Sequence, residues 1–192
     1  MKSLALAFAL CFGAVPALAE SAYDFTFEKL EGGALPLAAY KGKVLVVVNT
    51  ASFCGFTDQY KGMVKLWDTY KDKGVIVIGV PSDDFDQEPG SNAEIKEFCE
   101  LTYGVDFPMA GKTAVLGKDA HPFYKWAATS FGEDHVPSWN FHKYLIGQDG
   151  QIVDSYSAFT SPTGLSGAID KLLAAPKSYE SGAPTSPRPS PP

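Results

Sequence analysis

An α/β fold with a mixed central sheet flanked by helices is predicted by three features of the 192-residue chain. The runs Val44–Val48 and Val75–Val80 are unbroken and rich in β-branched residues, as strands buried on both faces are. Between them Tyr60, Met63, Val64, Leu66, Trp67 and Tyr70 recur at helical spacing. A strand, a helix and a strand in that order form a right-handed crossover with parallel strands. Further on, Gly147-Gln148-Asp149-Gly150 joins two apolar runs as a hairpin, which adds antiparallel strands and makes the sheet mixed.

The elements follow in chain order. Residues 1–19 read as a secretory leader, with Lys2 as the positive start, Leu4–Val15 as the apolar core and Ala17-Leu18-Ala19 as the cleavage site. That apolar run is too short to span a membrane, and no later stretch approaches one. Tyr23–Phe27 and Ala34–Leu37 flank Gly32-Gly33 and predict an N-terminal β-hairpin. A strand is expected over Lys43–Asn49, then a helix over Asp58–Lys73 with Thr57 as N-cap and Gly74 as its stop. The second strand, Val75–Val80, is followed by a helix over Ser91–Thr102 that carries Ile95, Phe98 and Cys99 on one side. A short strand at Thr113–Leu116 and a helix at Pro122–Thr129 come next. Asn140–Ile146 pairs with Gln151–Ser155, and a last helix covers Ser161–Ala174. The sum is a thioredoxin-like arrangement in one domain, residues 20–177, followed by a Pro/Ser-rich tail at 178–192 too poor in apolar residues to fold.

Composition narrows the functional classes. The formal net charge is −6, which disfavours nucleic acid and anionic membrane surfaces as partners. The leader implies export, to the periplasm in a bacterium and otherwise out of the cell. Of three cysteines, Cys11 lies in the leader, so the mature chain keeps Cys54 and Cys99. In an oxidising compartment two thiols tend to pair, so one structural disulfide is the plainest alternative to redox chemistry. His121, His135 and His142 lack metal-ligand spacing and read as surface or loop residues; no metal and no cofactor is expected. Trp67 and Trp126 read as core.

Cys54 is the chief candidate for chemistry. It lies in Asn49-Thr50-Ala51-Ser52-Phe53-Cys54-Gly55-Phe56-Thr57, between a strand and a helix, at the carboxyl end where parallel sheets build their sites. The positive end of the helix favours a thiolate there. Pro81-Ser82-Asp83-Asp84-Phe85 leaves the adjacent strand end and is expected to lie beside it.

Four segments, in order over roughly Tyr23–Ala175, resemble the glutathione peroxidase family: the loop around Cys54; Gln87-Glu88-Pro89-Gly90 with Glu94, Ile95 and Glu97-Phe98-Cys99; Phe107-Pro108-Met109 with Lys112; and Trp139-Asn140-Phe141-His142-Lys143-Tyr144-Leu145-Ile146. The resemblance implies that Cys54 is the peroxidatic thiol and that Gln87, Trp139 and Asn140 are its partners. Their residue types suit the reaction. A thiolate displacing the O–O bond needs donors to hold it as an anion and to receive charge on the leaving oxygen. The indole N–H and two carboxamides supply these. Several cysteine-type members place a resolving thiol where this chain has Cys99. The implied cycle is a Cys54 sulfenic acid, a Cys54–Cys99 disulfide and reduction by a thioredoxin-like dithiol rather than by glutathione. Hydrogen peroxide and organic hydroperoxides are the implied substrates. The short segment between Trp126 and Trp139 lacks the insertion of tetrameric members and suggests a monomer.

Departures from the family pattern bear on rate. Ser82-Asp83-Asp84-Phe85 stands where Cys-Asn-Gln-Phe is usual, one residue short before Gln87, and Ala110 replaces an aromatic. A carboxylate turned towards the thiol would oppose its ionisation. Other readings stay open. A general thiol-disulfide oxidoreductase lacks support because Thr57 occupies the second position of a Cys-x-x-Cys. A peroxide sensor that does not turn over, and a degenerate member with a structural Cys54–Cys99 disulfide, use the same residues.

Overall fold

The computed structural model describes residues 20–175; the predicted leader and the tail lie outside the described residues. Strands β1 (Thr26–Glu28) and β2 (Ala34–Pro36) form the predicted hairpin. The main sheet contains β3 (Val44–Thr50), β4 (Val75–Pro81), β5 (Lys143–Ile146) and β6 (Ile152–Tyr156) in the order β4-β3-β5-β6. β3 and β4 are parallel and joined through α1 (Gln59–Tyr70), whereas β3–β5 and β5–β6 are antiparallel. Helices α2 (Asn92–Tyr103), α3 (Pro122–Phe131) and α4 (Ser166–Ala174) complete the fold. This is the mixed thioredoxin-like sheet expected from the sequence.

β3 explains why its sequence does not alternate. All seven of its residues are buried. Val44, Val46 and Val48 pack on one face with Tyr60, Met63, Leu66, Ile95 and Ile169, while Leu45 and Val47 meet Phe27, Phe123, Trp126 and Tyr144 on the other. A strand between two cores is apolar on both sides because each face must leave water.

Several boundaries differ from expectation. α1 ends at Tyr70 and tightens into a 3-10 turn over Lys71–Lys73 before Gly74, whose φ of 94° ends the helix as predicted. Thr57 does not cap α1; Asp58 precedes the helix, and the Thr57 hydroxyl is used inside the Cys54 loop. The terminal helix is likewise split, with a 3-10 turn over Pro162–Leu165 ahead of α4. α2 matches its prediction closely, and Ser91 and Glu94 close a capping box at its start.

The strand expected at Thr113–Leu116 is not formed. The Thr113 N–H donates to the Pro81 carbonyl (2.8 Å). Those of Val115 and Leu116 go to the Asp84 carboxylate (2.6 and 2.8 Å) and not to a strand ladder. The segment that does run along β4 is Pro108–Ala110: Gly79 N–H donates to Pro108 O (3.0 Å) and Ala110 N–H to Gly79 O (2.8 Å). Gly79 is required there, since a Cβ would sit 2.2 Å from Met109 Sδ.

His142 is the other correction. It is buried, not superficial; its ring lies 4.8 Å from that of Tyr144, and Nε2 has no hydrogen-bond partner among the described residues. Burial first, and the charge of Lys143 second, push its pKa down to about 4. The folded chain therefore stays neutral at His142 while the unfolded chain takes up a proton near its ordinary pKa of 6.5. This contribution to stability is complete above pH 6.5 and is lost as the pH falls from 6.5 towards 4. Urea midpoints measured at pH 7 and pH 5 should drop with acid, and His142→Leu should flatten that drop. An unchanged slope in the variant would show that other groups set the acid sensitivity.

Candidate active site

Sheet topology gathers three segments at one end. The loop after β3 carries Cys54, and the loop after β4 carries Asp83–Gly90. Because β5 runs antiparallel to β3 and pairs Lys143 with Val48, the turn entering β5 brings Trp139–His142 to that same end.

The Cys54 loop is held by its own backbone donors. Ser52 N–H and Oγ–H both donate to Glu88 Oε2 (2.9 and 3.0 Å). Phe53 N–H donates to the Gln87 carbonyl (3.1 Å). Cys54 N–H donates to Thr57 Oγ1 (2.9 Å), whose own proton serves the carbonyl of Ala51 or Cys54 (3.0 and 2.7 Å). That leaves Phe56 N–H, which donates to Cys54 Sγ at 3.4 Å. The sulfur thus receives an amide in the turn that leads into α1, five residues before the regular helix begins. Cys54 is 8% exposed, and its thiol is free.

Gln87 and Asn140, 53 residues apart in sequence, meet directly: Asn140 Nδ2 donates to Gln87 Oε1 at 2.9 Å. With its carbonyl oxygen so engaged, the Gln87 side-chain amide keeps its N–H groups unpaired among the described residues. Trp139 is 41% exposed and precedes Asn140, which lies in a turn ahead of β5 and not in the strand expected over Asn140–Ile146. Its ring packs on Phe85, 5.3 Å between centroids, two residues before Gln87. The structure therefore joins Gln87 to Asn140 by a side-chain bond, links both to the Cys54 loop through Gln87, and sets Trp139 at their side.

The two aspartates of the unusual Ser82-Asp83-Asp84-Phe85 run are spent on backbone amides, one within the loop and one in the segment after Thr113. Asp83 Oδ1 accepts from Glu88 N–H (2.8 Å), and Asp84 Oδ2 accepts from Val115 and Leu116. A buried carboxylate nearer the thiol loop is Glu88, fully buried, with Oε1 unpartnered and its pKa raised chiefly by burial. Sequence reasoning passed over it, although its place in the Gln-Glu-Pro-Gly block was the available signal.

Cys99 is not bonded to Cys54; both are free thiols. It sits on α2, 1% exposed, in the same core cluster as Cys54. Burial pushes its pKa up to about 11, partly offset by the neighbouring Tyr60 hydroxyl. That hydroxyl lies between Cys99 and Thr50 without a hydrogen bond of ordinary geometry to either. The residue before Cys99 reaches the nucleophile loop, since Phe98 stacks on Phe53 at 6.4 Å. Around Cys54 the surface is aromatic: Phe53 and Phe159 are exposed, and Phe159 meets Phe56 edge-on at 5.4 Å. Among the described residues no cluster of three metal-ligating side chains occurs.

The family model for glutathione peroxidase matches residues 22–128. The glutathione peroxidase of Lactococcus lactis subsp. cremoris is 45% identical over 154 residues, covering 79% of this chain and 98% of the relative. A glutathione peroxidase-like peroxiredoxin of Schizosaccharomyces pombe is 41% identical over 155 residues, covering 79% and 98%. The crystal structure of Trgpx in apo form matches with a TM-score of 0.67 at 34% identity, covering 82% of this chain and 99% of that one.

Proposed function

Because the chain belongs to the glutathione peroxidase family and is by that membership a peroxidase, we propose that it reduces peroxides through Cys54. The observation that carries this reading is the Asn140–Gln87 side-chain hydrogen bond at the Cys54 loop. Nothing in chain order would bring those amides together, and the Gln87 N–H groups stay unspent on a residue whose carbonyl holds the Cys54 loop through Phe53 N–H.

In the first step the Cys54 thiolate attacks one peroxide oxygen. An S–O bond forms, the O–O bond breaks, and the departing alkoxide or hydroxide takes a proton to leave as alcohol or water. Phe56 N–H stabilises the sulfur anion, while the Gln87 amide, the Trp139 indole and Asn140 stabilise charge on the leaving oxygen. In the second step Cys99 attacks the Cys54 sulfenic acid, giving a disulfide and water. A thiol held up to about 11 by burial attacks poorly, and Cys99 is 1% exposed on α2. α2 must therefore loosen locally, which exposes Cys99 and returns its pKa towards the ordinary value as it approaches Cys54. A dithiol protein then reduces the disulfide. Export, read from residues 1–19, and a monomeric state belong to the same proposal.

The test is peptide mapping by mass spectrometry after one equivalent of hydrogen peroxide, quenched within seconds. A Cys54–Cys99 disulfide is the expected product. A Cys54 sulfenic acid with Cys99 untouched would remove Cys99 from the cycle and return glutathione as reductant. Two reduced thiols would remove the peroxidase reading.

A further inference from the structure

Asn49 is a polar side chain where the packing asks for an apolar one. It is the penultimate residue of β3, in a fully buried strand, and is 1% exposed. A carboxamide there is costly unless its donors and acceptors are met. Both polar atoms of the side chain find a partner in one turn. Nδ2 donates to the Trp139 carbonyl (3.2 Å), and Oδ1 accepts from His142 N–H (2.9 Å). Its backbone carbonyl accepts from Phe141 N–H (2.6 Å), and its backbone N–H donates to His142 O (3.2 Å). The four bonds reach residues 139, 141 and 142 and so bracket Asn140.

The turn they hold is strained. Phe141 has φ of 63°, the left-handed region that a bulky side chain avoids, and its ring is fully buried against Tyr60 at 5.5 Å. A strained conformation of this kind persists only where its surroundings over-determine it. Here it turns Asn140 inward, fully buried, onto Gln87. The frame is short, because Asn49 lies five residues before Cys54 on the strand that leads into the thiol loop.

We infer that Asn49 is a positioning residue for the peroxide step: it sets Trp139 and Asn140 against the Cys54 loop without touching the reacting atoms. This rests on the reading that Asn140 acts at Cys54. Leucine in place of Asn49 keeps the branching and the number of side-chain heavy atoms and removes both side-chain bonds. Phe141 is then free to relax to negative φ, and Asn140 to turn away from Gln87.

The experiment compares wild type, Asn49→Leu, Asn140→Ala and the double variant. The readout is the single-turnover rate of Cys54 oxidation by hydrogen peroxide, with thermal melting alongside. Asn49→Leu should slow oxidation by about 10- to 100-fold, the scale of a misplacement near 1 Å. On the Asn140→Ala background it should slow oxidation by a clearly smaller factor, because only the Trp139 part of what it positions is then left to lose. Equal fold-losses on both backgrounds would overturn the inference, since a purely structural role weakens both alike. A wild-type rate for Asn49→Leu beside a slow Asn140→Ala would overturn it while leaving the catalytic reading intact. A wild-type rate for Asn140→Ala would remove that reading and the inference with it. If Asn49→Leu does not fold, Asn49→Asp serves in the same cycle. It keeps the acceptor for His142 N–H, loses the donor to Trp139, and is judged by the same coupling.

Discussion

Cys54→Ser is expected to reduce peroxide turnover by at least about 10⁴-fold, on the scale seen when a nucleophile is deleted from a site that keeps its other parts. The loss should come without unfolding. Cys54 sits in a small, buried space beside Thr57, and exchanging sulfur for oxygen leaves the Phe56 N–H an acceptor. A change in stability of about 1 kcal/mol or less is expected at such a conservative exchange. The measurement is a stopped-flow peroxide assay paired with a thermal melt. A folded variant that keeps even a tenth of the wild-type rate would mean that another group is oxidised first. Cys99 is then the next thiol to test.

Cys99→Ala separates the two halves of the cycle. Oxidation of Cys54 by the first equivalent of peroxide should proceed at close to the wild-type rate, because Cys99 lies in the core and makes no bond to Cys54 in the reduced protein. Turnover with a thioredoxin-like dithiol should collapse, with Cys54 sulfenic acid accumulating and passing to higher oxidation states under excess peroxide. The cost in stability is small for one buried sulfur, about 1–2 kcal/mol. Undiminished dithiol-driven turnover would show that Cys54 sulfenic acid is reduced directly. The raised pKa of Cys99 and the closed geometry of α2 would then be the features of an ordinary core cysteine.

Glutathione remains the useful control in both experiments. Among the described residues Phe53 and Phe159 are exposed at the Cys54 loop, and the nearby Lys112 Nζ is bonded to the Glu88 and Gly90 carbonyls (3.3 and 3.0 Å), which leaves it poorly placed to clamp the carboxylates of a small anionic thiol. A glutathione-driven rate well below that of a dithiol protein is the result that fits.

Legibility in the sequence followed the physics of each feature. Runs such as Val44–Val48 announce a strand because burying both faces demands unbroken apolar residues, and the structure returns β3 and β4 nearly to the residue. α2 was legible because Ile95, Phe98 and Cys99 recur on one side, and the structure adds a Ser91–Glu94 capping box at its start. The false strand at Thr113–Leu116 shows the limit. Its residues have the right propensities, but a carboxylate 31 residues away, Asp84, captures the amides that a ladder would need. Thr57 failed as a cap for the same kind of reason. Its hydroxyl is claimed by the Cys54 amide three residues earlier, so a second local partner outcompetes the helix start. His142 looked like one loop residue among three because burial is a property of packing and leaves no mark on a lone histidine.

The sequence by itself determined the fold class, the order of the elements and the identity of Cys54, Gln87, Trp139, Asn140 and Cys99 as the residues to watch. The fold class, the order of the elements and Cys54 depend on local spacing and hydrophobic periodicity; Gln87, Trp139, Asn140 and Cys99 stand out only because their blocks resemble the glutathione peroxidase family. Tertiary structure alone decided how Asp83 and Asp84 are spent, that Glu88 and Asn49 brace the two loops of the site, and that Cys99 rests buried and unpaired. Those outcomes depend on which distant donor meets which acceptor once water is excluded. A buried polar group takes the partner that folding places beside it, however far apart the two lie in sequence.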